Sequence, residues 1–354
     1  TAQPRDVVVA SGLPATFSVA AAALPSPTYQ WRFQGANIPG ATETGYTIPA
    51  AAATDAGSYD VVIANSVGSV TSIVARLTVG LPMTNPSFEE DLFTVWPGYI
   101  SGNFPITGWE ALGGHGINPA GGSPFADNGV IPHGTQVAFM QADGALSQTI
   151  AGLAVGSEYY VHYYENARTV TTVPSLEVQA ADTTVVPAHS VPPVGSGSYR
   201  EVFSDVFTAA TADLALSFVK GSPQGGDCTA LIDNVAVVLV PAGSAPTITT
   251  PPQPQLVSVA GSATFSAQAI GSLPLSYQWL KDGTEISGAT NRTLTLDNIQ
   301  ELDEAGYALR VSNDHGAATS AAASLTVYEP VPDLFNTGVD DHRAPLADGA
   351  VDPH

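Results

Sequence analysis

The sequence predicts an all-β chain in which two small β-sandwiches of one kind flank a larger antiparallel sandwich of another. Three observations carry this. Short runs of β-branched and aromatic residues with period-two alternation recur throughout, bounded by Gly, Pro, Asn or Asp. The 354 residues include 34 Gly and 28 Pro, the punctuation such runs need. Residues 1–80 return without a gap as residues 249–328, leaving a middle stretch, Asn85 to Val240, that has no counterpart.

The repeat is read residue by residue. Ala15-Thr16-Phe17-Ser18 returns as Ala263-Thr264-Phe265-Ser266, and Tyr29-Gln30-Trp31 as Tyr277-Gln278-Trp279. Gly40-Ala41-Thr42 returns as Gly288-Ala289-Thr290, Asp55 and Tyr59 as Asp303 and Tyr307, and Leu77-Thr78-Val79 as Leu325-Thr326-Val327. A mid-segment Trp followed by a late Asp-x-x-x-Tyr resembles an immunoglobulin-like sandwich of the intermediate type. That resemblance puts Trp31 and Trp279 in the core and makes Tyr59 and Tyr307 corner tyrosines. The family's bridging cysteines are replaced by Val61 and Leu309, with Val19 and Ala267 opposite them, so apolar packing stands where a disulfide would be. In this reading the copies are spacers.

The middle stretch opens with Asn85-Pro86-Ser87-Phe88-Glu89-Glu90, passes Gly108-Trp109 and closes with Leu231-Ile232-Asp233-Asn234-Val235. Between them lie strand-like runs such as Val137–Gln141, Ala145–Ile150, Tyr159–Tyr164, Leu176–Val178, Tyr199–Phe203 and Leu214–Phe218. The opening Asn-x-x-Phe-Glu, the early Gly-Trp and the closing Ile-Asp-Asn-Val, in this order, resemble the galactose-binding-like jelly rolls, which include many bacterial carbohydrate-binding modules. The resemblance implies a jelly-roll β-sandwich whose first and last strands lie side by side. It also implies a structural calcium ion held by Glu89 and Asp233, with Asn85 and nearby backbone as further oxygens; calcium takes six to eight oxygen ligands, whereas zinc favours His or Cys. In the alternative, Glu89 caps a turn and Asp233 faces solvent.

A glycan site needs an aromatic face for the pyranose ring and planar polar groups for paired hydroxyls. Tyr164, Asn166 and Arg168 alternate, so a strand extending that far would place them on one face, with Gln141 and Gln148 joining from neighbouring strands. The competing reading pairs Arg168 with Glu165 or Glu177. Trp96, Tyr99 and Trp109 form a stacking platform, or Trp109 plugs one end of the core. His115, His133, His162 and His189 match no metal-ligand spacing. No nucleophile elbow, phosphate loop or dinucleotide fingerprint occurs, so no enzyme is expected within these residues.

The net charge of −22, from 32 acidic and 10 basic residues, repels nucleic acid. No run approaches the roughly 18 apolar residues of a membrane-spanning helix. A single cysteine, Cys228, excludes an intrachain disulfide. Residues 1–81 and 242–328 are expected to be the immunoglobulin-like sandwiches, 82–241 the jelly roll, and 329–354 the start of a further β-rich module. The Pro-rich joint Pro241–Pro254 is expected to be semi-rigid. The expectation is a segment of a secreted or cell-surface bacterial protein that binds a glycan or polysaccharide without catalysis. Two others stand beside it: a subunit self-associating into a filament, sheath or surface layer, and an accessory region of a polysaccharide-degrading enzyme.

Overall fold

The computed structural model describes residues 2–91, 105–119, 129–168, 172–195, 197–221 and 228–329, apart from the side chain of Ala142. Trp96, Tyr99 and nearly all of the C-terminal stretch 329–354 lie outside these residues. The described chain is all β, with two single-turn 3-10 helices at Ala53–Asp55 and Glu301–Asp303.

The first unit holds β1 (Val7–Ser11), β2 (Ala15–Ser18), β3 (Thr28–Phe33), β4 (Ala36–Asn37), β5 (Gly45–Ile48), β6 (Gly57–Asn65), β7 (Gly68–Thr71) and β8 (Ala75–Pro82). One sheet runs β1-β8-β6-β3-β4 with β7 beside β6, and β2 pairs β5 in the other. β1 joins β8 in parallel. Between the sheets Trp31 is fully buried with Phe17, Val19 and Val61. Its indole nitrogen donates to the Glu43 carbonyl at 3.0 Å, so the ring is buried without stranding its N–H. Tyr59 stacks on Phe17 at 4.6 Å and donates its hydroxyl to the Asp55 carbonyl at 2.8 Å, closing the turn before β6. Burial, with the nearby Asp55 charge adding to it, pushes the Tyr59 phenol up to about 12. The second copy repeats each contact: Trp279 donates to Asn291, Tyr307 donates to Asp303, and Leu309 and Ala267 are buried in the same core.

The middle unit contains β9 (Glu110–Pro119), β10 (Gln136–Ala151), β11 (Glu158–Ala167), β12 (Ser175–Ala180), β13 (Thr183–Ser190), β14 (Arg200–Phe203), β15 (Phe207–Thr208), β16 (Asp213–Gly221) and β17 (Thr229–Leu239). Its strand order is β13-β12-β16-β10-β17-β11-β14. The long β10 folds this sheet over: Ala138–Gln141 pair with β17, Ala145–Ala151 pair with β16, and β9 follows both halves with a register break between Gln141 and Ala145. Gly113 sits at that bend with φ +70°, where a Cβ would lie 2.2 Å from the Asp143 carbonyl oxygen, so only glycine fits. Met140, Leu146, Val161, Tyr163, Phe218 and Val237 fill the space between the halves.

The units are packed on each other. Val8 and Ala10 of β1 join Tyr160, Ala236 and Val238 in one apolar cluster, and the Asn234 amide donates to the Val8 carbonyl at 3.1 Å. A Cβ on Gly80 would stand 2.7 Å from the Val237 carbonyl oxygen. Gly80→Val is therefore expected to push β8 off β17 at a cost of about 1–3 kcal/mol, read as faster proteolysis between the first and middle units. Unchanged cleavage kinetics would show that this seam is not closed in solution. On the other side, Asn313 donates to the Ser244 and Ser272 carbonyls at 2.8 and 2.9 Å, and Leu273 N–H donates to Glu158 at 3.0 Å. The joint after Pro241 is thus held by hydrogen bonds as well as by proline stiffness.

Candidate functional site

Along β11 the odd-numbered residues Tyr159, Val161, Tyr163 and Ala167 point into the core, so Tyr160, His162, Tyr164 and Asn166 share the other face. On it His162, fully buried, lies 2.8 Å from the Glu201 carboxylate through Nε2 and packs edge-on against Tyr164 at 5.2 Å. Tyr164 is half-buried and donates its hydroxyl to the same carboxylate at 3.3 Å. Burial pushes the Glu201 carboxyl up, but the hydrogen bond from His162, its charge and the bond from Tyr164 outweigh that and hold it below its ordinary value. Burial, then the Glu201 charge, raise the Tyr164 phenol.

The shared face does not leave all three alternating residues available. Asn166 is fully buried: its side-chain oxygen accepts from the N–H groups of Ala167 and Val194 at 2.7 and 2.9 Å, pinning the loop before β14 over this end of the strand. It is a loop anchor rather than a sugar contact. Arg168, half-buried just past β11, donates its backbone N–H to the Thr229 carbonyl, and Gln141 donates to the Thr229 hydroxyl at 3.1 Å, so both lie beside the start of β17. Of the two expectations for Trp109, the stacking platform is corrected and the core plug is the one observed. Trp109 is 5% exposed, packs on Phe88 and Phe218, and donates to the Asn85 carbonyl at 3.1 Å, plugging the core. Gln148, also buried, ties the Thr84 and Gly108 carbonyls together.

The two ends of the unit lie against each other. Val235 N–H donates to the Pro86 carbonyl at 2.8 Å, bringing the opening segment against β17. Glu89 accepts from the N–H groups of Thr135 and Gln136 at 2.8 and 2.7 Å and from the Thr135 hydroxyl at 3.0 Å. Asp233, fully buried rather than facing solvent, accepts from His133 and Asn234 N–H at 2.9 and 2.7 Å. Burial raises its pKa well above the ordinary value, the two N–H groups oppose this, and the Glu89 charge adds to it. Asn85 is buried and donates to Asp91 and the Thr107 carbonyl, while its side-chain oxygen accepts from Glu90 N–H. Among the described residues, no group of three or more His, Cys, Asp or Glu is arranged to hold a metal. Glu89 and Asp233 present only oxygen donors, each of which already accepts a hydrogen bond, and neither has an ion-pair partner among those residues.

The raised Asp233 pKa has a definite sign. Its contribution to stability is fully present below its unfolded value of 3.8 and is lost as pH rises through the folded value. In chelator, the chain should therefore lose stability relative to Asp233→Asn as pH rises above the unfolded value of 3.8. Parallel melting curves for the two proteins would show an ordinary carboxyl.

Glu201, His162 and Phe203 were not singled out from the sequence as site residues. Alternation within Tyr199–Phe203 was the available signal, since it sets Tyr199, Glu201 and Phe203 on one face.

With this geometry in view, the flanking units are immunoglobulin-like domains. Residues 1–79 match the family model described as Immunoglobulin I-set domain, and residues 245–313 match one described as Immunoglobulin domain. An 83-residue stretch is 43% identical to Endoglucanase C of Cellulomonas fimi, covering 22% of this chain and 8% of that protein. A stretch of 103 residues is 36% identical to Tyrosine-protein phosphatase Lar of Drosophila melanogaster, covering 26% of this chain and 5% of the relative. Kin of IRRE-like protein 3 of Mus musculus is 32% identical over 85 residues, 24% of this chain and 11% of the relative. The chain thus spans only a small part of each relative. Among solved structures, tandem Ig repeats of Dlar align over 93% of this chain and 96% of that one at 14% identity and a TM-score of 0.24. A titin M10–obscurin-like 1 Ig complex aligns over 25% and 98% at 27% identity and a TM-score of 0.23.

Proposed function

We propose that the middle unit is a jelly-roll module that recognises glycan without catalysis, outside the cell, and that the immunoglobulin-like domains carry it. The observation that carries this reading is the half-buried Tyr164 ring, held in one orientation by Glu201 and His162. A fixed aromatic face beside oriented polar groups is what a sugar ring stacks on, and prior orientation lowers the entropy cost of binding. Arg168 and Gln141 lie nearer the start of β17, where they extend the polar surface. The likeness to part of Endoglucanase C favours an accessory role beside a polysaccharide-degrading enzyme over assembly into a filament. A glycan array probed with the full chain tests this. Retention on a subset of glycans, lost in Tyr164→Ala, is expected; no retention on any glycan overturns it.

We also propose that calcium sits between Glu89 and Asp233 as a structural ion, drawing their charges together and fastening the opening segment to β17. At saturating calcium, about 100 times the dissociation constant, binding adds about 2.7 kcal/mol. The middle unit should melt several degrees higher in calcium than in chelator, in the chain but not in Asp233→Asn. Identical melting and no heat on titration would remove the ion.

A further inference from the structure

A trough of about 1440 Å³ runs where the three units meet. The middle unit lines it with Tyr164, Glu201 and Phe203, and the first immunoglobulin-like domain lines it with Arg5, Asp6 and Arg76. Residues of the joint and of the second domain complete its wall, Thr247 and Ile270 among them.

The two arginines are unusual for this chain. It has 10 basic residues against 32 acidic ones, so a guanidinium finds a carboxylate easily. Arg32, Arg200, Arg292, Arg310 and Lys281 each do so. Arg5 and Arg76 are exposed, form no ion pair among the described residues, and line the same trough. Of the trough's own carboxylates, Asp6 accepts the Arg76 backbone N–H at 2.8 Å and Glu201 is held by His162 and Tyr164, and neither forms an ion pair with Arg5 or Arg76 among the described residues. The lining of one trough therefore combines two arginines of the first domain that form no ion pair among the described residues with an oriented aromatic ring of the middle unit.

We propose that this trough is a composite site for an acidic polysaccharide, with Tyr164 stacking on a sugar ring and Arg5 and Arg76 taking the carboxylates of uronic acid units. The inference rests on the glycan-binding reading and changes it, because the first immunoglobulin-like domain becomes part of the site. A guanidinium bonds a carboxylate through two parallel N–H groups, which gives the trough a preference for acidic over neutral units that ring stacking alone lacks. The overall negative charge does not forbid this, since at physiological salt charges more than about 8 Å away are largely screened.

The test is calorimetric titration of the full chain with an oligogalacturonate octamer, a neutral xylo-oligosaccharide of similar length and an oligoglutamate peptide. The chain, Arg5→Gln/Arg76→Gln and Tyr164→Ala are compared after each is shown to melt as the parent does. The expected result is tightest binding of the oligogalacturonate, weakened at least tenfold in the double arginine variant and in Tyr164→Ala. Oligogalacturonate binding unaffected by the arginine changes overturns the composite site. Neutral sugar bound equally well through Tyr164 alone also overturns it, yet leaves the glycan-binding reading standing. Oligoglutamate bound as tightly as oligogalacturonate would make the trough an acidic-peptide site, and no binding of either sugar would end both ideas.

Discussion

Replacing Glu165 with alanine is expected to cost the middle unit about 3 kcal/mol, because it dismantles a buried ion network. Glu165 is fully buried and accepts from Arg200 Nε at 2.7 Å and from the Tyr163 hydroxyl at 3.0 Å, with His189 Nε2 at 2.9 Å. Without it the Tyr163 hydroxyl is left in the core with no acceptor, and Arg200 and His189 lose their common partner. Arg200 remains about half in water, 49% exposed at its side chain, which keeps the cost at the low end for broken buried pairs. On a unit of this size that corresponds to a fall of roughly 6–12 °C in its melting temperature. Glu165→Gln, which keeps an acceptor for Tyr163, should lose less. A change under about 2 °C in the alanine variant would mean that solvent already satisfies these groups.

Trp279→Ala should remove most of the stability of the second immunoglobulin-like domain, about 3–5 kcal/mol. Trp279 has no exposed surface, packs with Phe265 at 6.2 Å and anchors Asn291 through its N–H. A domain of some 80 residues holds on the order of 4–12 kcal/mol in total. Limited proteolysis should then cleave within 250–328 while the first copy, with Trp31 intact, survives. Equal resistance of both copies would show that docking on the middle unit, rather than this core, holds the second domain folded.

Much of this was legible in the sequence because short-range patterns encode it. The mid-segment Trp and late Asp-x-x-x-Tyr of each copy resemble immunoglobulin-like domains, and that resemblance put Trp31, Tyr59 and Val61 in a sandwich core, where they are buried. What was not legible depended on pairing between distant segments. The competing reading of Arg168 paired it with Glu165 or Glu177, but strand register sets Arg200 directly opposite Glu165, and Glu177 accepts from Gln179 and Thr184. Alternation set Asn166 beside Tyr164, but nothing local announces that the loop at Val194 folds down over it. The same holds for Arg5 and Arg76, which count only because β1 and β8 lean on β17.

The folded-over β10 has a consequence for how the middle unit breathes. A sandwich made of two separate sheets can part along its open sides, but here one strand is paired on both flanks in each half, and the sheets share it as a common spine. Opening the unit along that side requires rupturing these ladders rather than sliding layers apart. The amides of Ala138–Gln141 and Ala145–Ser147, flanked by a paired strand on both sides, should accordingly be the last in this unit to exchange with deuterium, close to the limit set by its complete unfolding.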